Sequence, residues 1–274
     1  MNLEQFRALL DVEPDAHGRN VLPVIDATSE RVFGGQILAQ LIAAAAPPGS
    51  AKVVKSLQVA FPRAGRPGDP LYLDLEMTHE GRSLGHRRAV VWQGDEVARR
   101  VVATASILVD RADDGYDYQY VAAESGDPAA AEPVEFAVVP GETRLISDVG
   151  LDFEGATLAE LAFWMRCPGF DDSVSQPVLA YISDWPLIGT LLKAVPGVSQ
   201  RDAHVALETG VVTHSVWFHQ PFDVSGWLRV QIHGMRLTGG RGFGTGDVYT
   251  QSGTHVASFA QESVVRGFAK GKQQ

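Results

Sequence analysis

A chain of 274 residues with 45% apolar and 20% charged residues is globular, and long enough for one large domain or two small ones. Its 33 acidic and 23 basic residues leave a net charge of −10, which argues against nucleic acid and anionic membrane surfaces as partners. A substrate carrying phosphates would need a local basic rim. Cys167 is the only cysteine, so an internal disulfide is excluded and the composition suits the cytoplasm.

The opening MNLEQFRALL lacks a basic region followed by an apolar core, so no signal peptide is expected. Residues 2–12 are predicted to form a short amphipathic helix with Leu3, Phe6, Leu9 and Leu10 on one side. Residues 20–25 are predicted to form a strand. The stretch VFGGQILAQLIAAAAP (32–47) follows, with Ile37, Leu38, Leu41, Ile42 and Ala45 at helical spacing and no charge on any face. Such a helix is surrounded by other structure. The uncharged run 32–51 approaches bilayer length, but Pro47 and Pro48 stop its helix too early to span one.

Four strand-like runs come next, at 52–61, 71–78, 84–92 and 97–109, the last three joined by HEGR and QGDE turns. Residues 110–135 are rich in Asp, Glu, Ala, Gly and Pro, with Asp110, Asp113, Asp114 and Asp117 crowding the start, and are expected to be an exposed linker. Residues 158–167 could be helix or strand. The apolar segment 177–195 then precedes predicted strands at 210–219, 227–235, 243–250 and 255–265.

The second series repeats the first. Adding 159 to positions 53–98 aligns Val53/Val212, Ser56/Ser215, Pro62/Pro221, Gly81/Gly240, Arg82/Arg241, Gly85/Gly244, Gly94/Gly253, Val97/Val256 and Ala98/Ala257 without a gap. Glycines at matching turns reflect matching backbone demands. The chain is thus expected to be α+β: two copies of one unit, each a helix with an antiparallel sheet. The expected division is 1–109, an acidic linker at 110–145, and 146–274. Segment 177–195 is the counterpart of the first helix, with an insertion or deletion before its strands. The first helix has no carboxylate, whereas the second carries Asp184.

An ionised Asp in an apolar segment costs several kcal/mol unless paired. Asp184 reads either as a catalytic carboxylate or, before Trp185-Pro186, as a helix N-cap. Gln261-Glu262 stand where the first copy has Val102-Ala103. They read as a water- or carbonyl-holding pair, or as an ordinary polar strand end. Thr213, His214, Ser215 and His219 form a polar patch. A Ser–His–Asp triad is improbable, because His214 and Ser215 are neighbours on a strand and point to opposite faces. His214 and His219 lack a third ligand at useful spacing, so no metal site is expected, and each reads as a satisfied histidine. Gly34-Gly35, before the first helix, could aim N–H groups at a carbonyl or merely allow close packing. The glycine-rich stretch 239–244 has no helix after it, which removes a phosphate loop.

Taken together, RVFGGQILAQ (31–40), FPRAG (61–65), EGRSLGHRR (80–88), LAYISD (179–184), HSVWFHQPF (214–222), GRGFGTGDVYTQSGTHVAS (240–258) and QE (261–262) resemble the acyl-CoA thioesterase II family, in order and spacing. The likeness covers residues 20–268 apart from the acidic linker. It implies a double hotdog, each half a long helix wrapped by an antiparallel sheet, and hydrolysis of fatty acyl-CoA. It also implies an Asp, a Gln and a Thr or Ser hydroxyl holding the attacking water. The Asp maps onto Asp184 and the Gln onto Gln261. The hydroxyl position is Val211, and Thr213 replaces the family's Asp before His214. Two residues from Val211 on a strand, Thr213 is expected to face the same side and supply the hydroxyl. The N–H groups of Gly35 and Gln36 are expected to polarise the thioester carbonyl. Neither metal, cofactor nor covalent intermediate is required by that mechanism. The competing readings are a non-catalytic acyl-thioester-binding protein and, ranked last for want of a histidine near Asp184, a hydratase. Exposed sheet edges and the resemblance suggest a homodimer or larger homo-oligomer.

Overall fold

The computed structural model describes residues 1–25, 31–47, 49–111, 115–120 and 126–267. Pro48, Asp113 and Asp114 lie outside the described residues. In chain order the elements are α1 (Leu3–Leu10), β1 (Glu13–Pro14), β2 (Asn20–Leu22), α2 (Gly34–Ala45), β3 (Val53–Ala60), β4 (Leu71–Glu80), β5 (Gly85–Gln93), β6 (Arg100–Asp110), β7 (Glu132–Val134), β8 (Glu142–Leu145), β9 (Glu160–Arg166), α3 (Ser175–Ser183), α4 (Pro186–Leu192), β10 (Leu207–Phe218), β11 (Leu228–Thr238), β12 (Arg241–Thr250) and β13 (His255–Gly267).

Local chemistry sets several of these boundaries. In α1, Asn2 accepts from the Gln5 N–H while the Gln5 side chain accepts from the Asn2 N–H, satisfying two orphan donors at once. Helix α2 starts on its glycine pair with no side-chain cap. Segment 158–167 resolves as strand β9. The apolar segment 177–195 is not one helix: Pro186 has no N–H to give to the Ile182 carbonyl, so α3 ends and α4 begins afresh. Within 110–145, β7 and β8 extend the sheet from β9.

Among the described residues all 13 strands join one antiparallel sheet, in the order β1-β2-β4-β5-β6-β3-β10-β13-β12-β11-β9-β8-β7. The order on one side of the β3/β10 seam mirrors the order on the other. At that seam Thr213 pairs with Ala60 and Trp217 with Ser56, and Phe61 N–H donates to the Val212 carbonyl at 2.8 Å. Helices α2 and α3 pack on each other against the inner face. In α2, Ile37, Leu38, Leu41 and Ile42 are all buried, each contributing about 1.5–3 kcal/mol. One apolar core runs through both halves, and Ile188, Leu192 and Val265 form a smaller cluster under α4.

Candidate active site

The centre of the molecule is where the start of α2 meets the end of α3. Asp184 follows the last residue of α3 and is 5% exposed. It does not cap α4; its Oδ2 accepts the Gly35 N–H at 3.1 Å, from the other helix. Oδ1 is buried without a hydrogen-bond partner. Burial pushes the carboxyl up to about 7, and the Gly35 hydrogen bond restrains the rise.

The glycine pair permits this approach. A Cβ on Gly34 would lie 2.8 Å from Asp184 Oδ2, and one on Gly35 would lie 2.2 Å from the Tyr181 carbonyl oxygen. Any other residue would push α2 and α3 apart. The Gly35 N–H is therefore engaged by the carboxylate, which revises its expected part as a carbonyl-polarising donor. Gln36 likewise uses its N–H on the Phe33 carbonyl at 3.2 Å, while its side chain bonds Ile25 and Pro23.

Gln261 lies inside β13, not at a strand end, and is fully buried. It pairs directly across the ladder with His214 of β10. His214 Nδ1 is 3.0 Å from Gln261 Oε1, and His214 Nε2 is 2.9 Å from Ser183 Oγ. Gln261 Nε2 donates to Ser263 Oγ at 2.9 Å. Burial holds His214 down at about 4, so the imidazole is neutral. The polar chain Ser183–His214–Gln261–Ser263 thus starts one residue from Asp184 and ends across the sheet. His214 is a satisfied core histidine, as expected. Its tie to the residue beside Asp184 had no signal in sequence, because it is made between elements 31 positions apart.

Thr213 is not part of this arrangement. Between Val211 and Thr213 the β10/β13 register slips, so that Val212 is an extra residue. Val211 pairs with Ser263 and Thr213 with Glu262, while His214 pairs with Gln261. Directly opposed residues share a face. Val211 therefore faces the helices, packing on the Ile188–Leu192 cluster, and Thr213 shares the outer face with half-exposed Glu262 and its partner Arg241. The bulge overturns the expectation that Thr213 lends a hydroxyl on the side of Val211.

Surface clefts lie elsewhere, one of about 240 Å³ lined by Arg144, Arg166 and Trp227 among others, another of about 470 Å³ whose lining includes Asp11, Glu13, Asp15 and Pro23. Cys167 is buried, and burial pushes its thiol up to about 12, which keeps it inert. No helix among the described residues is long and apolar enough to cross a membrane. No cluster of three or more His, Cys, Asp or Glu side chains among them could hold a metal ion.

A buried, half-satisfied carboxylate where two helices meet on an antiparallel sheet places the chain among α+β proteins with a candidate site at the helix crossing. Comparison with known proteins makes the class specific. The chain matches the family model of the acyl-CoA thioesterase N-terminal domain over residues 24–109 and that of the C-terminal domain over 114–265. It is 30% identical over 267 residues to acyl-CoA thioesterase 2 of Haemophilus influenzae, covering 88% of this chain and 90% of that one. Against acyl-coenzyme A thioesterase 8 of Rattus norvegicus the identity is 28% over 271 residues, with 87% and 81% covered. Among solved structures, the acyl-CoA thioesterase II TesB2 of Mycobacterium marinum superimposes with a TM-score of 0.77 at 23% identity, covering 96% of this chain and 99% of that one. A hot dog fold protein of Alicyclobacillus acidocaldarius gives 0.75 at 18%, with 97% and 99% covered. The chain belongs to the acyl-CoA thioesterase family, and its fold is of the hotdog type.

Proposed function

We propose that this protein hydrolyses fatty acyl-CoA to free fatty acid and CoA, with Asp184 as general base and Gln261 orienting the attacking water. The observation that carries this is the state of Asp184: one oxygen anchored to Gly35, the other buried and unpartnered, and a carboxyl that ionises at about 7. Such a group is poised to take a proton at neutral pH. Water gives its proton to Asp184 as its oxygen adds to the thioester carbonyl carbon. Collapse of the tetrahedral adduct breaks the C–S bond, and the departing thiolate takes the proton back from Asp184. Negative charge on the adduct's oxygen is favoured by the positive end of α2, which points at this spot.

The mirrored strand order and the helix pair support reading the fold as a double hotdog, with residues 1–109 and 146–274 as its halves and 110–145 joining them. Acyl-CoA is the substrate partner, the working form is a homodimer or larger homo-oligomer, and the single cysteine suits a cytoplasmic setting.

Thiol release from a panel of acyl-CoAs tests the reading. Asp184→Asn should lower kcat by roughly 100-fold or more while the fold persists. Near-normal rates in that variant would dismiss Asp184 as the base, and acyl-CoA binding without thiol release by the parent protein would favour a non-catalytic binder. Thr213→Val, on the outer face, should leave turnover unchanged.

A further inference from the structure

Gln261 is a fully buried primary amide, and an amide has two ends that differ in chemistry: a carbonyl that accepts and an NH2 that donates. After one bond at each end, a lone pair and a proton remain, and these are what a water molecule can use. Which of them faces the reaction depends on which way round the amide is held. Two side chains hold it. His214 Nδ1 sits 3.0 Å from Oε1, and Ser263 Oγ receives Nε2 at 2.9 Å. Both partners are fully buried.

The proton count links this choice to α3. Ser183 Oγ is 2.9 Å from the Ala180 carbonyl and 2.9 Å from His214 Nε2, yet a hydroxyl has one proton. When Ser183 donates to His214 Nε2, a neutral imidazole donates from Nδ1 to Gln261 Oε1, and the Gln261 NH2 turns to Ser263. When Ser183 donates to Ala180 instead, Nε2 must carry the proton and Nδ1 must accept. The amide ends of Gln261 then have to exchange, with Ser263 becoming the donor. The neutral state of His214 permits these two arrangements and no doubly donating one.

We propose that Ser263 and His214 are positioning residues that clamp the two ends of Gln261, and that Ser183 selects the clamp's orientation from the helix end bearing Asp184. This rests on the thioesterase reading above. Ser263 carries particular weight because the residue directly opposite it on the same face is Val211, which offers no hydroxyl.

Register makes the clamp testable. Ser263→Ala and Ser183→Ala should each lower kcat by roughly tenfold with KM for acyl-CoA unchanged, since the lost contacts act on Gln261 and not on substrate binding. Ser263→Thr should keep full turnover. Val211→Thr placed in the Ser263→Ala background should recover most of the loss, because directly opposed Cβ atoms lie about 5 Å apart across an antiparallel ladder. If Ser263→Ala melts early, Ser263→Cys keeps the volume without a strong hydrogen-bonding group and should show the same kcat loss. Parent-like kcat in Ser183→Ala and Ser263→Ala overturns the clamp, as does a kcat in Ser263→Thr as low as in Ser263→Ala. Asp184→Asn separates the two levels: if it abolishes thiol release while Ser263→Ala is silent, only the clamp fails. If Asp184→Asn is itself silent, the reading beneath both fails.

Discussion

Gly85 on β5 and Gly244 on β12 are matching positions of the repeat, and each makes room for something a Cβ would strike. Over Gly85 lie the ends of Glu80 and Arg87, at 2.8 and 2.9 Å from the position of a Cβ. They belong to an ion cluster in which Glu80 joins Arg87 to nearly buried Lys52, whose two cations hold the Glu80 carboxyl below its usual range. Over Gly244 lies Leu187 of α4, at 2.7 Å, and Leu191 lies at 2.9 Å over Gly234 and 2.6 Å over Gly242. The N-terminal half passes from α2 to β3 through residues 46–52. The C-terminal half uses 184–206, and α4 is part of that longer path. Pro186, the first residue of that extra helix, is where α3 gives way, leaving Asp184 between the two helices. The strand that matches β6, β13, presents buried Gln261 where β6 presents buried Val102. The strand order is mirrored about the β3/β10 seam, yet Ser183, His214, Gln261 and Ser263 all lie on one side of it.

The comparison breaks most sharply at Gly35. A methyl there would meet the Tyr181 carbonyl at 2.2 Å and the Phe33 ring at 2.5 Å, one of them backbone and neither able to yield freely. Gly35→Ala should destabilise the chain by roughly 3 kcal/mol or more in urea unfolding and remove turnover with it. An unfolding curve matching the parent would show that the α2–α3 crossing is not set by this glycine. The matched pair comes next. At Gly244 a methyl meets Leu187 and the His233 carbonyl at 2.6 Å, a backbone atom, whereas at Gly85 it meets side chains alone, the far ends of Glu80 and Arg87 and the Val109 methyl at 2.9 Å. Gly244→Ala should therefore be destabilising by about 2–3 kcal/mol and Gly85→Ala by about 1 kcal/mol. Equal losses would mean that the ion cluster is as rigid as the packed helix.

Much of this frame was legible because its signals are local. A helix without charge, strands ended by turn residues, and glycines recurring at one offset all report the neighbourhood of their own residues. Asp184 stood out because no solvated face in its segment could take a charge. What was not legible depends on partners far along the chain. A bulge at Val212 is a property of how two strands align, yet it decides that Thr213 faces outward. Ser183 looked like an unremarkable helix residue, and Ser263 like a strand serine, until register and helix placement set them beside His214 and Gln261. Gly35 pointed to the right place with the wrong partner: its N–H serves the carboxylate.

The parent and Asp184→Asn should also diverge with pH. In the folded chain Asp184 ionises at about 7 against an ordinary 3.8, so between those values the folded state keeps a proton that the unfolded chain has released. Stability is then lost as pH rises through that window, by about 1.4 kcal/mol per unit. His214 works the other way. It is held at about 4 against an ordinary 6.5, so the unfolded chain binds the extra proton and stability rises with pH up to 6.5. In the parent the two slopes largely offset each other across their shared range. Asp184→Asn removes one and leaves the other, so the stability of the variant relative to the parent should grow as pH rises through the range from 3.8 to about 7, then level off. Urea midpoints for both proteins across that range measure it. If the parent's kcat/KM climbs to a plateau with the same midpoint, the group that makes the fold less stable is the group that takes the proton. A flat stability difference would place Asp184's ionisation at its ordinary value, and with it would go the reason for assigning the base to the C-terminal half alone.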